Sequence, residues 1–259
     1  MKYIVVLALL VSLVGCGAAS NFAASQPSTT QTPTPPAEPE TGTYDMLAWM
    51  TMDSSLMASH HMSGTANPVY TTVLPDRFYW TKTAQGYPWD VQLYDDKFIY
   101  LWVTELDWQN PRTYKVFHDP NQGNYNLPLV PRFAQAGFPG SKITIPPSQS
   151  TYETHTSCNT FTTQPLGGVV NTVWGPYAES LGGDLPDNLK TLVISYQYSC
   201  DSNFENCQNK EEYHVAKPYG LVKWQHQALQ PDGSYAAPDN VTYLNQLSEG
   251  QVKPYTVCF

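Results

Sequence analysis

Four groups of side chains in this chain have types and spacings that could carry chemistry. Glu105 and Asp107 flank Leu106 at the end of an alternating run. Alternate residues of a strand face the same way, which would hold the two carboxylates about 6–7 Å apart. At that separation two carboxyl groups can divide nucleophile and general-acid work on a glycosidic bond; an acidic strand end facing solvent is the plainer expectation. Segment 201–212 offers oxygen donors at Asp201, Asn203, Glu205, Asn209 and Glu212, relative positions 1, 3, 5, 9 and 12, the pattern of a twelve-residue calcium loop. Its sixth position is Asn206 where Gly is expected, and strand-like runs flank it, so a disulfide-closed polar hairpin loop is the reading adopted. Met46, Met50, Met52, Met57 and Met62 lie close to His60 and His61. Thioethers and imidazoles suit cuprous ion, but Met also fills irregular core gaps, and a Met-rich helix packed on a sheet is expected instead, with no metal assigned. Finally, Tyr79, Trp80, Tyr87, Trp89, Tyr94, Tyr100, Trp102 and Trp108 crowd one short stretch. Flat rings with a polar edge can stack on sugar faces, so Phe98, Tyr100 and Trp102 form a candidate strip, with Tyr100 and Trp102 as the ligand-binding residues. The competing expectation is that strand aromatics fill the core.

Three short segments resemble known families. The run Leu13, Val14, Gly15, Cys16 follows an apolar stretch, Ile4 to Val14, behind Lys2, and it resembles the lipobox of bacterial lipoproteins. That resemblance implies a signal peptide over 1–15 and a lipid-bearing Cys16, with a diacylglyceryl thioether and an acylated (palmitate-type) amine. Gly17 stands where an inner-membrane retention signal would place Asp, so the resemblance favours the outer membrane of a diderm cell. Three acyl chains exceed the two-signal requirement for stable anchoring. Glu105-Leu106-Asp107 resembles the ExDxxE or ExDxE signature of laminarinase-like jelly-roll glycosidases. Glu105 would match the nucleophile and Asp107 the helper, but the third position holds Gln109 or Asn110, neither of which can protonate a leaving oxygen. Lys217 to Trp224 is similar to strand-turn segments of envelope lipoproteins built on antiparallel sheets.

The remaining chemistry is absent by motif: there is no GxSxG, no HExxH, no phosphate-cradling glycine loop and no dinucleotide fingerprint. His155 with Lys142 or Arg132 could supply the base and cations of a polysaccharide lyase, although no spacing demands it. No catalytic residue is assigned, and no cofactor is expected. A net charge of −9 without a basic run argues against a nucleic-acid partner. Charged residues are 14 % and aromatics 13 %, so the main body has enough apolar surface to offset its ordering entropy.

The elements that must position these groups are strands. Residues 16–43 are rich in Ser, Thr, Ala and Pro and read as an extended linker, leaving 44–259 as one domain. Alternation marks strands at 77–82, 89–94, 97–107, 113–117, 142–145, 151–156, 191–199, 211–216, 219–229 and 251–257. Turn signals stand at Asp95-Asp96, Asn110-Pro111, Asp119-Pro120, Pro139-Gly140, Gly182-Gly183 and Asp232-Gly233. Short helices are expected over 44–58 and, interrupted by Pro176, over 168–181. Strands without alternating helices predict an all-β antiparallel sandwich or jelly roll, with a curved open barrel as the alternative. Four cysteines besides Cys16 predict two disulfides in an exported domain. Cys200 and Cys207 flank a short loop and are the natural pair, which leaves Cys158 with Cys258. The sequence therefore reads as a lipid-anchored, exported envelope protein. It would be a non-enzymatic binding or structural module, partnered by the membrane and by a polysaccharide or other envelope component. A glycoside hydrolase or polysaccharide lyase on a jelly roll is the alternative.

Overall fold

Where branched and aromatic residues alternate, the chain extends and pairs. The computed structural model describes residues 42–52, 56–62, 65–81, 88–107, 113–118, 127–137, 140–156 and 159–249. Over these residues the protein is nearly all antiparallel β-structure, consistent with a sandwich and not closed into a barrel. The elements are β1 (Gly42–Asp45), α1 (Met46–Met50), β2 (Leu56–Met62), β3 (Thr65–Val73), β4 (Arg77–Thr81), β5 (Pro88–Tyr94), β6 (Phe98–Asp107), β7 (Thr113–His118) and β8 (Leu127–Pro131). They continue with β9 (Phe133–Ala136), β10 (Lys142–Ile145), β11 (Thr151–Thr156), β12 (Asn159–Pro165), β13 (Gly168–Glu179), β14 (Leu189–Cys200), β15 (Cys207–Ala216), β16 (Gly220–Ala228) and β17 (Asn240–Glu249).

One long ribbon holds most of them, in the order β10-β13-β14-β15-β16-β17-β2-β3-β4-β5-β6-β7-β11-β12, with β8 added beside β6. The ribbon changes layer along β3: its first residues pair with β2 and residues 70–73 pair with β4. The two halves then lie face to face. Trp80 of β4 meets Tyr213 of β15 at 5.9 Å between ring centroids, and Trp89 of β5 meets Trp224 of β16 at 5.5 Å. A single core cluster contains Phe78, Trp80, Ile99 and Leu101 from one half and Val173, Leu192, Ile194 and Val215 from the other. A second cluster (Tyr79, Val91, Trp102, Val103, Tyr114 and Val116) lies on the opposite face of the β4–β7 half.

Two helical expectations need correction. Among the described residues of 44–58 only α1 is helical. Asp45 caps it by accepting from the Leu47 N–H at 3.1 Å. Thr51 then ends it in an extended conformation, returning its own N–H to the Leu47 carbonyl. The amphipathic face survives in miniature, because Met46, Trp49 and Met50 are buried in the main core. Over 168–181 the chain is not helical but forms strand β13. Branched Val169, Val170, Thr172 and Val173 favour the strand, and Pro176 would break a helix. Val169 and Val173 enter the main core while Val170 packs with Cys200 and Cys207, which is a period of two. The strand expected at 251–257 lies outside the described residues, as do the turns at Asn110-Pro111 and Asp119-Pro120.

Candidate functional site

Three neighbouring strands pass from the core to solvent at the same end. On β14, Leu192, Ile194 and Tyr196 are buried and Tyr198 is half-buried; on β15, Val215 and Tyr213 are buried and Glu211 and Asn209 are half-buried. Trp224 and His226 of β16 are half-buried too. Register sets Tyr196 beside Glu211 and Glu211 beside His226, with Tyr213 beside Trp224. The facing layer presents its own row, Trp80, Asp90, Thr104, Lys115 and Thr154, across β4, β5, β6, β7 and β11. Tyr152, opposite Phe117, stands in the next row. The half-buried members of these rows, Lys115, Tyr152, Tyr198, Glu211 and Trp224 among them, mark where the space between the layers reaches the surface, here called the mouth, while Trp80 and Asp90 are buried.

Glu211 is the centre of this mouth. Its Oε2 accepts from the Tyr213 hydroxyl at 2.8 Å and from the Trp224 indole N–H at 3.0 Å, and the Tyr198 hydroxyl interacts with the same carboxylate. Burial, and then the Glu211 charge, push the hydroxyls of Tyr196, Tyr198 and Tyr213 up in pKa. All three therefore remain neutral donors at neutral pH. Tyr196 and Tyr198 stack at 4.9 Å. From the other layer the Lys115 ammonium lies over the rings of Tyr152 at 5.1 Å and Tyr198 at 5.7 Å. Burial lowers the pKa of Lys115, and the Glu211 charge opposes that shift. Beside them His226 places Nδ1 2.7 Å from Asp239 Oδ1 and Nε2 3.3 Å from Asn209 Oδ1. Rigid rings interleaved with fixed polar groups suit a ligand that is hydroxylated on its edges and apolar on its faces.

The reverse face of the same strands carries a second polar cluster. Glu179 Oε2 accepts from Thr191 Oγ1 at 2.9 Å and lies 2.8 Å from His214 Nδ1. His214 is 6 % exposed, with Nε2 4.0 Å from Glu212 Oε2. Glu212 also holds Lys210 at 3.0 Å and accepts from the Gln225 amide. Two carboxylates thus bracket one imidazole, whose Nε2 makes no hydrogen bond among the described residues. Among the described residues no group of three or more His, Cys, Asp or Glu is placed to hold a metal ion.

The residues singled out on sequence fall elsewhere. Trp102 is 8 % exposed, within the second apolar cluster, and the Arg77 guanidinium lies 5.3 Å from its ring. Tyr100 is half-buried, and its hydroxyl donates to Asp95 at 2.9 Å. The strict alternation expected along this strand breaks at Trp102, which is the extra residue of a bulge between Leu101 and Val103, so both Trp102 and Val103 join the outer cluster. Another irregularity sits at Leu106: Glu105 pairs with Tyr114 and Asp107 with Thr113. The pleat therefore does not run evenly through Glu105-Leu106-Asp107. Leu106 is 49 % exposed, and the Asp107 side chain lies outside the described ones.

In segment 201–212, expected to be a disulfide-closed hairpin loop, Asp201 Oδ1 accepts from the backbone N–H groups of Asn203 and Glu205, and Oδ2 accepts from the Asn206 amide at 2.8 Å. Its oxygens serve the turn itself, which the Cys200–Cys207 disulfide closes. Met46, Met50 and Met52 are buried core residues; the side chains of Met57, His60, His61 and Met62 lie outside the described ones, as do Cys16, Cys158 and Cys258. His155 is buried with Nε2 3.2 Å from Glu153, Arg132 pairs with Asp45 at 2.7 Å, and Lys142 is exposed on β10. Each of these three has its own setting, His155 on β11, Arg132 between β8 and β9, and Lys142 on β10.

Lys115, Tyr152, Tyr198, Glu211 and Trp224 were not singled out on sequence. Period-2 placement of Glu211 with Tyr213, and of Tyr196 with Tyr198, was the local signal available. Comparison with protein-family models, curated proteins and solved structures finds no match.

Proposed function

We propose that this is an exported cell-envelope lipoprotein whose β-sandwich is a non-enzymatic binding module, taking a carbohydrate at the mouth between its layers. Cys16 would carry the lipid, in the outer membrane where the cell has two, and residues 16–43 would hold the sandwich away from the bilayer surface. The observation that carries the binding reading is the convergence on one carboxylate, Glu211, of ring-borne donors from Tyr198, Tyr213 and Trp224, with Tyr152 facing them from the other layer. Sugars are recognised by this combination of stacking surface and fixed hydrogen-bonding groups.

A titration of the protein with dextran, pullulan, polygalacturonate and alginate, read by Trp fluorescence, tests it. Saturable binding that is lost in a folded Tyr198→Ala variant is expected. A Tyr100→Ala variant in the same series separates this mouth from the outer strip of Tyr100 and Trp102. Absence of binding to all four polymers would remove the carbohydrate reading. A Cys16→Ala variant should leave the membrane fraction for the soluble one.

One observation favours a second reading, a carbohydrate-active enzyme. Asp90, which is buried, and Glu211, from opposite layers, both act electrostatically on Tyr196 and Tyr213, and paired carboxyl groups are the groups that cleave glycosidic bonds. New reducing ends or unsaturated products in the same samples would move the assignment to a hydrolase or lyase.

A further inference from the structure

Three other cations of this protein lie over aromatic rings and also hold a carboxylate. Arg77 pairs with Asp76 at 2.6 Å, Arg132 with Asp45 at 2.7 Å and Lys210 with Glu212 at 3.0 Å. Lys217, over the Trp49 ring, is exposed to water. Lys115 has neither advantage. It is half-buried between the layers, and among the described residues its ammonium makes no ion pair within 4.0 Å and no hydrogen bond. Its cross-strand neighbours, Thr104 and Thr154, are uncharged. Glu211 bears on it electrostatically, but that carboxylate is already engaged by Tyr213 and Trp224. Among the described residues, three N–H donors of a strongly hydrated cation are thus held at the mouth without an acceptor.

We propose that Lys115 is the anchor for the carboxylate of an acidic sugar, so that the mouth takes uronate-bearing polysaccharide in preference to neutral glycan. The inference rests on the reading of the mouth as a carbohydrate site. A uronate carboxylate supplies the acceptor that the ammonium lacks, in a charge-assisted hydrogen bond. Tyr152 and Tyr198, whose rings already border the ammonium, stand where the pyranose attached to that carboxylate must lie. The net charge of −9 repels a polyanion at long range, but that repulsion is screened beyond about 8 Å at physiological ionic strength, whereas the Lys115 contact is short. The partial loss of hydration that disfavours the ammonium in the free protein is offset once an anion binds.

The test is calorimetric titration of the full-length protein in detergent with polygalacturonate and with the same polymer after reduction of its carboxyl groups to the neutral galactan. The acidic polymer should bind at least tenfold more tightly, Lys115→Met should make the two equal, and Lys115→Arg should keep part of the preference. Equal binding of both polymers by the unaltered protein, or a preference that persists in Lys115→Met, overturns the anchor and leaves the carbohydrate site standing. If neither polymer binds and Tyr198→Ala changes nothing, the site itself fails and the anchor with it. Should Lys115→Met not fold, competition by free galacturonate against free galactose on the unaltered protein decides the same question. Displacement by galacturonate alone supports the anchor, and equal displacement overturns it.

Discussion

Glu211 and Glu212 are consecutive residues of one strand, and the pleat sends them to opposite faces with different fates. Glu212, on the reverse face, joins Lys210, Gln225, His214 and Glu179 in a cluster bonded mainly among its own members, with His214 Nε2 left without a hydrogen bond among the described residues. Glu211, at the mouth, gathers ring donors and faces an ammonium with no acceptor of its own among the described residues. A polar cluster closed on its own members acts on stability, because removing one member strands the others. A cluster left with unused donors has capacity for something outside the chain. The same residue type, one position apart, is structural on one face and available on the other.

The largest expected effect comes from opening the closed face. Glu179→Leu removes the acceptor for His214 Nδ1 and for the Thr191 hydroxyl and should cost about 3 kcal/mol, the low end for a broken buried pair, read as a lowered urea midpoint at unchanged slope. Replacing Cys200 and Cys207 together by Ser frees the β14–β15 loop that ends at the mouth. Loop-closure entropy sets that loss at about 2.5 kcal/mol, and amide exchange should quicken at 198–211 more than at 213–216.

Acid should also separate the two faces. Burial raises the Glu179 pKa, but the hydrogen bond and charge of His214, the Thr191 bond and the Lys223 charge outweigh it and hold the carboxyl below its usual 4.5. Its contribution is fully present above the unfolded value and is lost as pH falls through the folded one. A Glu179→Gln variant should therefore show a flatter loss of stability below about pH 4.5 than the unaltered protein, followed by thermal unfolding across pH 3–7. The smallest effect is expected at the mouth: Lys115→Met should change stability by no more than about 1 kcal/mol, because ring contacts of the ammonium are lost but no hydrogen bond or ion pair among the described residues. A cost as large as that of Glu179→Leu would erase the distinction between the faces.

Local patterns made much of the fold legible. Strands at 142–145 and 151–156 coincide with β10 and β11, and Cys200 pairs with Cys207 because a hairpin loop between two strands brings them opposite each other. Segment 168–181, a strand where a helix is expected, shows why periodicity alone can fail. Val169 and Val173 are four residues apart, a spacing that places both on one face of a helix and on one face of a strand. Val170 and Pro176 are the deciding residues. The bulge at Trp102 was not legible either, since an extra residue in one strand is defined only by its partner. At the site, the pairing of Glu211 with Tyr213 on one face follows from alternation. Lys115 over Tyr198 does not, because it depends on how the ribbon folds at β3 to bring β7 over β14.

The order of the ribbon also governs how such a chain can be made. Its seam lies in the middle: Met62 of β2 pairs with Thr242 of β17, although β2 is among the first strands translated and β17 is the last one described. Until β17 arrives, β2 keeps an open hydrogen-bonding edge beside half-formed apolar faces, the configuration most prone to pair with a neighbouring molecule. Closing so distant a contact is slow, because the loop entropy must be met before the pairing rewards it. As the chain emerges the β4–β7 half can form early, but the sandwich is sealed only once β17 has emerged. A nascent chain truncated before residue 240 should be the form that a chaperone holds.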